Sequence, residues 1–274
     1  IVGFKGMGAQ RWLDLGFIQL QPSEVMKVAL LLALARYFHG LALDEVSRIR
    51  NLIVPLLLVV VPVALVVKQP DLGTAILLTI SGGTIFFAAG LAWRYFVISG
   101  LAVWERLHDY QRNRVFTFLD PERDPLGAGY HILQSKIALG SGGLFGKGFM
   151  AGSQAHLNFL PEKQTDFIFT MLGEELGFVG GIFLLVLYCL TLIVAFNTAL
   201  QCRNQFGRLL AIGVAVSFFF YVFINTAMVM GLLPVVGVPL PLVSYGGTAM
   251  LSLMFAFGLL QSCHIHRNIE IGRG

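Results

Sequence analysis

The sequence predicts an all-α, polytopic membrane protein, and three observations carry that prediction. Of 274 residues, 56% are hydrophobic and only 12% charged, with a mean hydropathy of +0.77. Several apolar runs are long enough to cross ~30 Å of hydrocarbon as helices. Short basic loops separate these runs, and one long polar segment, 105–165, interrupts them. A soluble domain of this length has no use for so much apolar surface. Helices satisfy their own backbone groups in lipid. The net charge of +4 and pI near 9.1 would suggest nucleic acid in a soluble protein. Here they are accounted for by basic cytoplasmic loops and attraction to anionic lipid or a phosphate substrate, so no nucleic-acid partner is expected. Cys189, Cys202 and Cys263 fit no metal-ligand spacing and read as structural. The chain begins at Ile1 without an initiator Met or a signal peptide, so a natural N-terminal part is expected to precede it.

Taken in order, residues 1–21 are mixed, and Trp12 suits a membrane interface. Pro22 and Ser23 suit the first turn of a helix, and a span runs from Glu24 to Phe38. Glu24 and Lys27, three residues apart, share a face. Asp44 to Arg50 is polar. A second span covers Leu52 to Val67. Lys68-Gln69-Pro70-Asp71-Leu72-Gly73 makes a tight turn, and a third span covers Leu72 to Ala92. The next apolar piece, Tyr95 to Trp104, is too short to cross; it is either re-entrant or a longer span from which residues are absent. The large loop follows. Three more spans are expected at Asp166 to Asn197, Leu209 to Leu233 and Tyr245 to Cys263. Basic loops at Arg48/Arg50, Arg94, Arg203/Arg208 and the Arg267 tail alternate along the chain and are cytoplasmic by the positive-inside rule. The Asp71 turn, the large loop and the segment from Leu233 to Gly247 then face outward. An odd number of spans is missing if the natural N-terminus is cytoplasmic.

The chemistry concentrates around L-P-E-K-Q-T-D-F-I-F at Leu160 to Phe169. Asp166 sits where a polar loop enters an apolar run. A carboxylate at that depth is costly and marks a functional site, or Thr165 or Asp166 caps the helix; spacing alone divides these evenly. Glu24, Asp71, Glu174 and Glu175 also lie near outward helix ends, whereas a transport pathway would spread acids through the midplane. In the loop, Gly140-Ser141-Gly142-Gly143-Leu144-Phe145-Gly146-Lys147-Gly148 superficially suggests a phosphate cradle but lacks the P-loop pattern. A Gly-rich turn is more often only a turn. Arg112, Arg114, Lys136 and Lys147 are candidates to hold a pyrophosphate or to anchor lipid headgroups. His131 and His156 have no metal-ligand spacing and read as structural.

Several stretches together resemble the shape, elongation, division and sporulation (SEDS) family: L-P-E-K-Q-T-D-F-I-F with G-E-E-L-G at Gly173, Q-P-S-E at Gln21, Q-P-D-L-G-T at Gln69 and P-L-P-L-V-S-Y-G-G at Pro239. Y-Q-R-N-R-V, F-L-D-P-E-R-D-P-L-G-A-G-Y and Q-S-K-I-A-L-G-S-G-G-L-F-G-K-G resemble the elongation branch more than the division branch. These motifs cover almost the whole chain in family order. The resemblance implies a SEDS-type bundle of ten helices with both termini cytoplasmic, of which residues 1–274 form about the last seven as one membrane domain. The outward loop 105–165 lies within it.

It also implies a peptidoglycan glycosyltransferase in the bacterial cytoplasmic membrane. The enzyme would polymerise lipid II into linear glycan on the outer face during elongation. The family's essential Asp corresponds to Asp166 and the Trp of its R-W motif to Trp12, beside Arg11. One carboxylate suffices as general base, because a lipid pyrophosphate leaves as a stable anion and needs cations rather than an acid. Arg114 and Lys136, with a divalent cation such as Mg or Mn, would hold the pyrophosphate. Lys136 matches the elongation branch only. No organic cofactor is expected. Glu24, Lys27, Asp71, Gln134, Glu162 and Thr165 complete the candidate substrate contacts. For Glu24, Lys27 and Asp71 a structural ion pair is the competing reading. Expected partners are lipid II, membrane lipid, a class B penicillin-binding protein (a transpeptidase) and elongation-complex proteins. A lipid II flippase and a non-catalytic scaffold are the rival functions.

Overall fold

The computed structural model describes residues 4–6, 9–14, 19–69, 71–97, 116, 128–152 and 164–272. Among them it is mostly helical. Its helices are α1 (Pro22–His39), α2 (Leu43–Val46), α3 (Ile49–Val67), α4 (Leu72–Ala88), α5 (Ala128–Ser141), α6 (Ile168–Gln201), α7 (Gln205–Val229) and α8 (Gly247–Ile265). Among the described residues α3, α6, α7 and α8 are long and apolar enough to cross a membrane, and α4 is a shorter apolar helix. α1 carries Glu24, Lys27 and Arg36 within its 18 residues. These helices coincide with the expected spans to within a few residues. Two elements go beyond the expectation: a small antiparallel sheet before α1, and the helix α5 inside the long polar segment. The sheet has β1 (Phe4–Gly6), β2 (Ala9–Asp14) and β3 (Gln19–Leu20) in that order. Phe4 pairs with Trp12, and Leu13 with Leu20.

The chain divides into two compact units. The first comprises 1–105, 192–219 and 247–274; the second comprises 106–191 and 220–246.

In the first unit, α1 buries Val28, Leu31, Leu34, Ala35 and Phe38 at three- and four-residue spacing, one stripe of a helix. Small residues let neighbours approach that stripe. A β-carbon at Gly213 would stand 2.7 Å from Ile85 and 2.8 Å from Leu31. Ser81 of α4 and Ser217 of α7 share a hydrogen bond of 2.8 Å, the polar pairing that apolar surroundings favour between helices. α3 contains Pro55 and Pro62. Pro55 has no N–H for the carbonyl of Asn51, and that carbonyl accepts from the Tyr37 hydroxyl at 2.9 Å. The outer face of α3 leaves Leu56, Leu57 and Val61 more than half exposed, the surface that hydrocarbon covers. Thr248, in the first turn of α8, donates to the Gln19 carbonyl at 2.6 Å and accepts from the Gln21 N–H at 3.3 Å, tying the sheet to the start of α1.

In the second unit the central feature is a break in α6. Gly177 has φ 67° and ψ −166°, a conformation open essentially to glycine alone. The break strips intrahelical partners from both sides, and the Gly-rich segment supplies replacements. Lys147 N–H donates to Glu174 O at 3.0 Å and Gly148 N–H to Glu175 O at 3.0 Å. Phe178 N–H donates to Gly143 O at 2.9 Å and Val179 N–H to Leu144 O at 3.1 Å. The glycines are required by this approach: a β-carbon on Gly142 would collide with the Gly173 carbonyl, and one on Gly146 with the Glu175 carbonyl. The Gly-rich stretch is a turn, as its pattern favours, and it fits into a broken helix.

Candidate functional site

The second unit holds Asp166. It lies in a turn, 164–167, immediately before α6, and is half-buried. The carbonyls of that turn cannot all be satisfied by the helix that follows. Thr170 N–H takes the Phe167 carbonyl at 3.0 Å. The three preceding carbonyls are taken in succession from elsewhere in the unit. Tyr245 N–H donates to Gln164 O at 2.9 Å. The Ser244 hydroxyl donates to Thr165 O at 2.6 Å. Asn225 Nδ2 donates to Asp166 O at 2.8 Å. Asn225 is fully buried, and its second N–H reaches Val238 O at 2.7 Å. Ser244 in turn accepts from Leu240 N–H at 2.7 Å. The segment 230–246, through the Ser244 side chain and the Tyr245 backbone, and α7, through Asn225, thus grip the Asp166 turn. Leu242 of that segment has φ 63°, a left-handed conformation costing a non-glycine residue about 1–3 kcal/mol, which the surroundings must impose.

The carboxylate of Asp166 lies against the same segment. A β-carbon at Gly237 would be 3.2 Å from its Oδ2. Lys136 borders that segment too: it is exposed, and a β-carbon at Gly231 would collide with its Cε and come within 2.8 Å of its Nζ. Both glycines have positive φ, 68° at Gly231 and 73° at Gly237. α5, which carries Lys136, is fixed by Ser135. Its hydroxyl donates to Val229 O at 2.7 Å and lies 2.8 Å from the Thr170 hydroxyl. One hydroxyl has one proton, so Thr170 is the donor to Ser135. Gln134 is half-buried on α5. The His131 ring, also on α5, packs on Phe167 at 6.2 Å between centroids. Glu174 is fully buried, and Lys147 Nζ sits 2.6 Å from its Oε1. Lys147 itself is exposed, and its ammonium is engaged by this carboxylate.

The first unit holds a separate polar cluster. Glu24 and Lys27 are both buried and form an ion pair of 2.6 Å along one face of α1. Asp71 is buried and caps α4, accepting from Thr74 N–H at 3.2 Å. Gln21 Nε2 reaches its other oxygen at 3.4 Å. The pair of Glu24 and Lys27 lies within a single helix. Trp12 is half-buried on β2. Arg114, Glu162 and His156, and the side chain of Arg11, lie outside the described residues.

Asn225 and Ser244 were not among the sequence candidates. Asn225 did carry a signal, as a side-chain amide in the middle of an apolar run, where polar groups are retained for specific bonds. Among the described residues no three His, Cys, Asp or Glu side chains gather as metal ligands.

The FtsW/RodA/SpoVE family of cell cycle proteins matches residues 1–269. The peptidoglycan glycosyltransferase MrdB of Escherichia coli (strain K12) is 51% identical over 270 residues, which is 96% of this chain and 72% of that protein. Among solved structures, one chain from work on structural coordination of polymerization and crosslinking by a peptidoglycan synthase complex matches with a TM-score of 0.82 at 35% identity, over 98% of this chain and 76% of that one. The rod shape determining protein RodA of Thermus thermophilus matches with a TM-score of 0.71 at 31% identity, over 98% of this chain and 73% of that one.

Proposed function

The chain belongs to the FtsW/RodA/SpoVE family of cell cycle proteins, the SEDS family, and from that premise we propose that Asp166 is the general base of its glycosyl transfer. The chain is a multi-pass membrane protein and a peptidoglycan glycosyltransferase. The observation carrying the assignment is that Asp166 stands at the mouth of α6 on a backbone held at three consecutive carbonyls. Catalysis asks for a carboxylate whose position is settled before substrate arrives.

In the proposed reaction, the 4-hydroxyl of an acceptor GlcNAc attacks the anomeric carbon of a lipid-linked disaccharide. The new C–O bond forms as the bond to pyrophosphate breaks. The hydroxyl proton passes to Asp166, and the lipid pyrophosphate departs as an anion. The substrate is lipid II and the product a linear β-1,4 glycan. Lys136 and Arg114 would meet the leaving phosphates, because charge-assisted bonds are strongest to such oxygens. A Mg or Mn ion borne by the pyrophosphate would add charge stabilisation there. Gln134, Glu162 and Thr165 are assigned to substrate contact around Asp166. Glu24, Lys27, Asp71, Arg11 and Trp12 are assigned to substrate contact on the first unit. The active side faces the periplasm or cell exterior, since the basic short loops take the cytoplasmic side. The partners are a class B penicillin-binding protein and elongation-complex proteins. The similarity to a chain from work on a complex coordinating polymerization and crosslinking supports the former.

The test is a glycan ladder from labelled lipid II, made by the full-length protein with its transpeptidase partner. Asp166→Asn should fold normally and lower the rate by about 10²–10⁴-fold. An equal ladder from wild type and variant would remove Asp166 as the base.

A further inference from the structure

We propose that Asn225 and Ser244 are positioning residues for glycosyl transfer, holding the Asp166 carboxylate by fixing the peptide units on either side of its α-carbon. The inference rests on the reading of Asp166 as the base. Both Asn225 N–H groups are spent on carbonyls, one at Asp166 and one at Val238. Val238 follows Gly237, whose α-carbon lies beside the Asp166 carboxylate. A single buried amide therefore sets the spacing between the carboxylate's own backbone and the backbone that faces it. Ser244 repeats the device one residue earlier. It ties Thr165 O to Leu240 N–H through one hydroxyl oxygen.

Neither residue can be replaced by generic packing. The Asp166 and Val238 carbonyls both need donors, and only a primary amide offers two from one nitrogen at this side-chain length. Buried carbonyls left without donors would seek other partners, shifting the turn. Displacement of a reacting group by about 1 Å costs on the order of 10²-fold in rate. Substrate affinity, which other contacts supply, should hardly change. That division separates a positioning role from a general loss of structure.

The experiment measures kcat and KM for lipid II polymerisation by the full-length protein in complex with its partner. Wild type is compared with Asn225→Ala, Ser244→Ala, Ser244→Thr and Asp166→Asn, with thermal midpoints recorded for each. Expected are a kcat about a hundredfold lower for Asn225→Ala and about tenfold lower for Ser244→Ala, with KM within about threefold of wild type. Ser244→Thr keeps the hydroxyl and should recover kcat to within about threefold. If Asn225→Ala fails to fold, the Ser244 pair decides. Wild-type kcat in Ser244→Ala, or loss in KM alone, or no recovery in Ser244→Thr, overturns the inference. If Asp166→Asn is inactive while the other variants turn over normally, the positioning role falls and the base stands. If Asp166→Asn is fully active, the base assignment falls, and this inference with it.

Discussion

At the scale of single residues, the polar groups of this protein separate by what surrounds them. Asp71 shows the difficulty of reading a role from depth alone. Its carboxylate sits at a helix end that the positive-inside rule assigns to the outer side, as a substrate ligand would, yet it caps α4 through Thr74 N–H. Asn caps helices about as well as Asp, whereas Ala gives up about 1 kcal/mol. Asp71→Asn should therefore leave the thermal midpoint of the purified protein in place. Asp71→Ala should lower it by an amount equivalent to about 1 kcal/mol. If the negative charge also contacts substrate, Asp71→Asn lowers polymerisation despite its intact fold; unchanged polymerisation restricts Asp71 to the cap. Lys147 is the converse case. In the sequence it is one more loop cation, but beside the fully buried Glu174 it neutralises a charge that water cannot reach. Removing one partner of a fully buried pair costs about 3–5 kcal/mol, an upper bound here because Lys147 is itself exposed, while replacing both with apolar groups is often neutral. Lys147→Met should accordingly destabilise strongly, and adding Glu174→Leu should return most of the loss, as thermal melting in detergent would record.

At the scale of elements, the second unit depends on a helix that is interrupted on purpose. α6 loses its regular hydrogen bonding at Gly177, and the segment 142–148 restores four of those bonds from outside. The glycines of that segment are therefore not equivalent. Gly146 meets the Glu175 carbonyl in direct contact, whereas Gly140, within α5, has open space where a β-carbon would go. Gly140→Ala should stabilise by roughly 0.5–1 kcal/mol, since alanine is the better helix former. Gly146→Ala should destabilise well beyond that and in the opposite direction, because backbone must move to admit the methyl. Similar midpoints for the two variants would mean that the segment does not enter the break. This distinction was not legible in the chain. A run of glycines reads as a turn from its composition. Which glycine touches a carbonyl thirty residues away depends on tertiary approach. The Asp166 clasp was hidden for the same reason: Asn225 and Ser244 lie 59 and 79 residues from their acceptors. Spans, by contrast, were legible, because hydrocarbon imposes length and apolarity on contiguous sequence. Asp166 was legible as a candidate because a carboxylate entering an apolar run is rare, and its role as base came from the family resemblance. The small sheet before α1 and the helix α5 were missed, since neither falls in a long contiguous apolar run.

At the scale of the whole molecule, the distribution of charge carries a direction. In the first unit, the basic segment after α6 and the basic C-terminal tail meet near the C-terminal end of α1. His39 Nε2 lies 3.3 Å from Gly272 O. Arg203 N–H donates to Arg267 O at 2.9 Å, and Arg267 reaches Gln201 Oε1 at 2.9 Å. The N-terminal end of α1 carries Glu24, and Gln21, just before it, reaches Asp71. α3 returns between these ends: its 19 residues span about 28 Å at 1.5 Å each, close to the hydrocarbon thickness. Basic residues in short loops are retained on the cytoplasmic side, so Ser47, before α3, should be inside and Gln69, after it, outside. The two are exposed and suit labelling. With Cys189, Cys202 and Cys263 first replaced by Ala, Gln69→Cys should react with a membrane-impermeant maleimide in intact spheroplasts. Ser47→Cys should react only after lysis. The reverse pattern would place the Asp71 turn in the cytoplasm. Glycosyl transfer on the outer face would then lose its topological support, whatever Asp166 does.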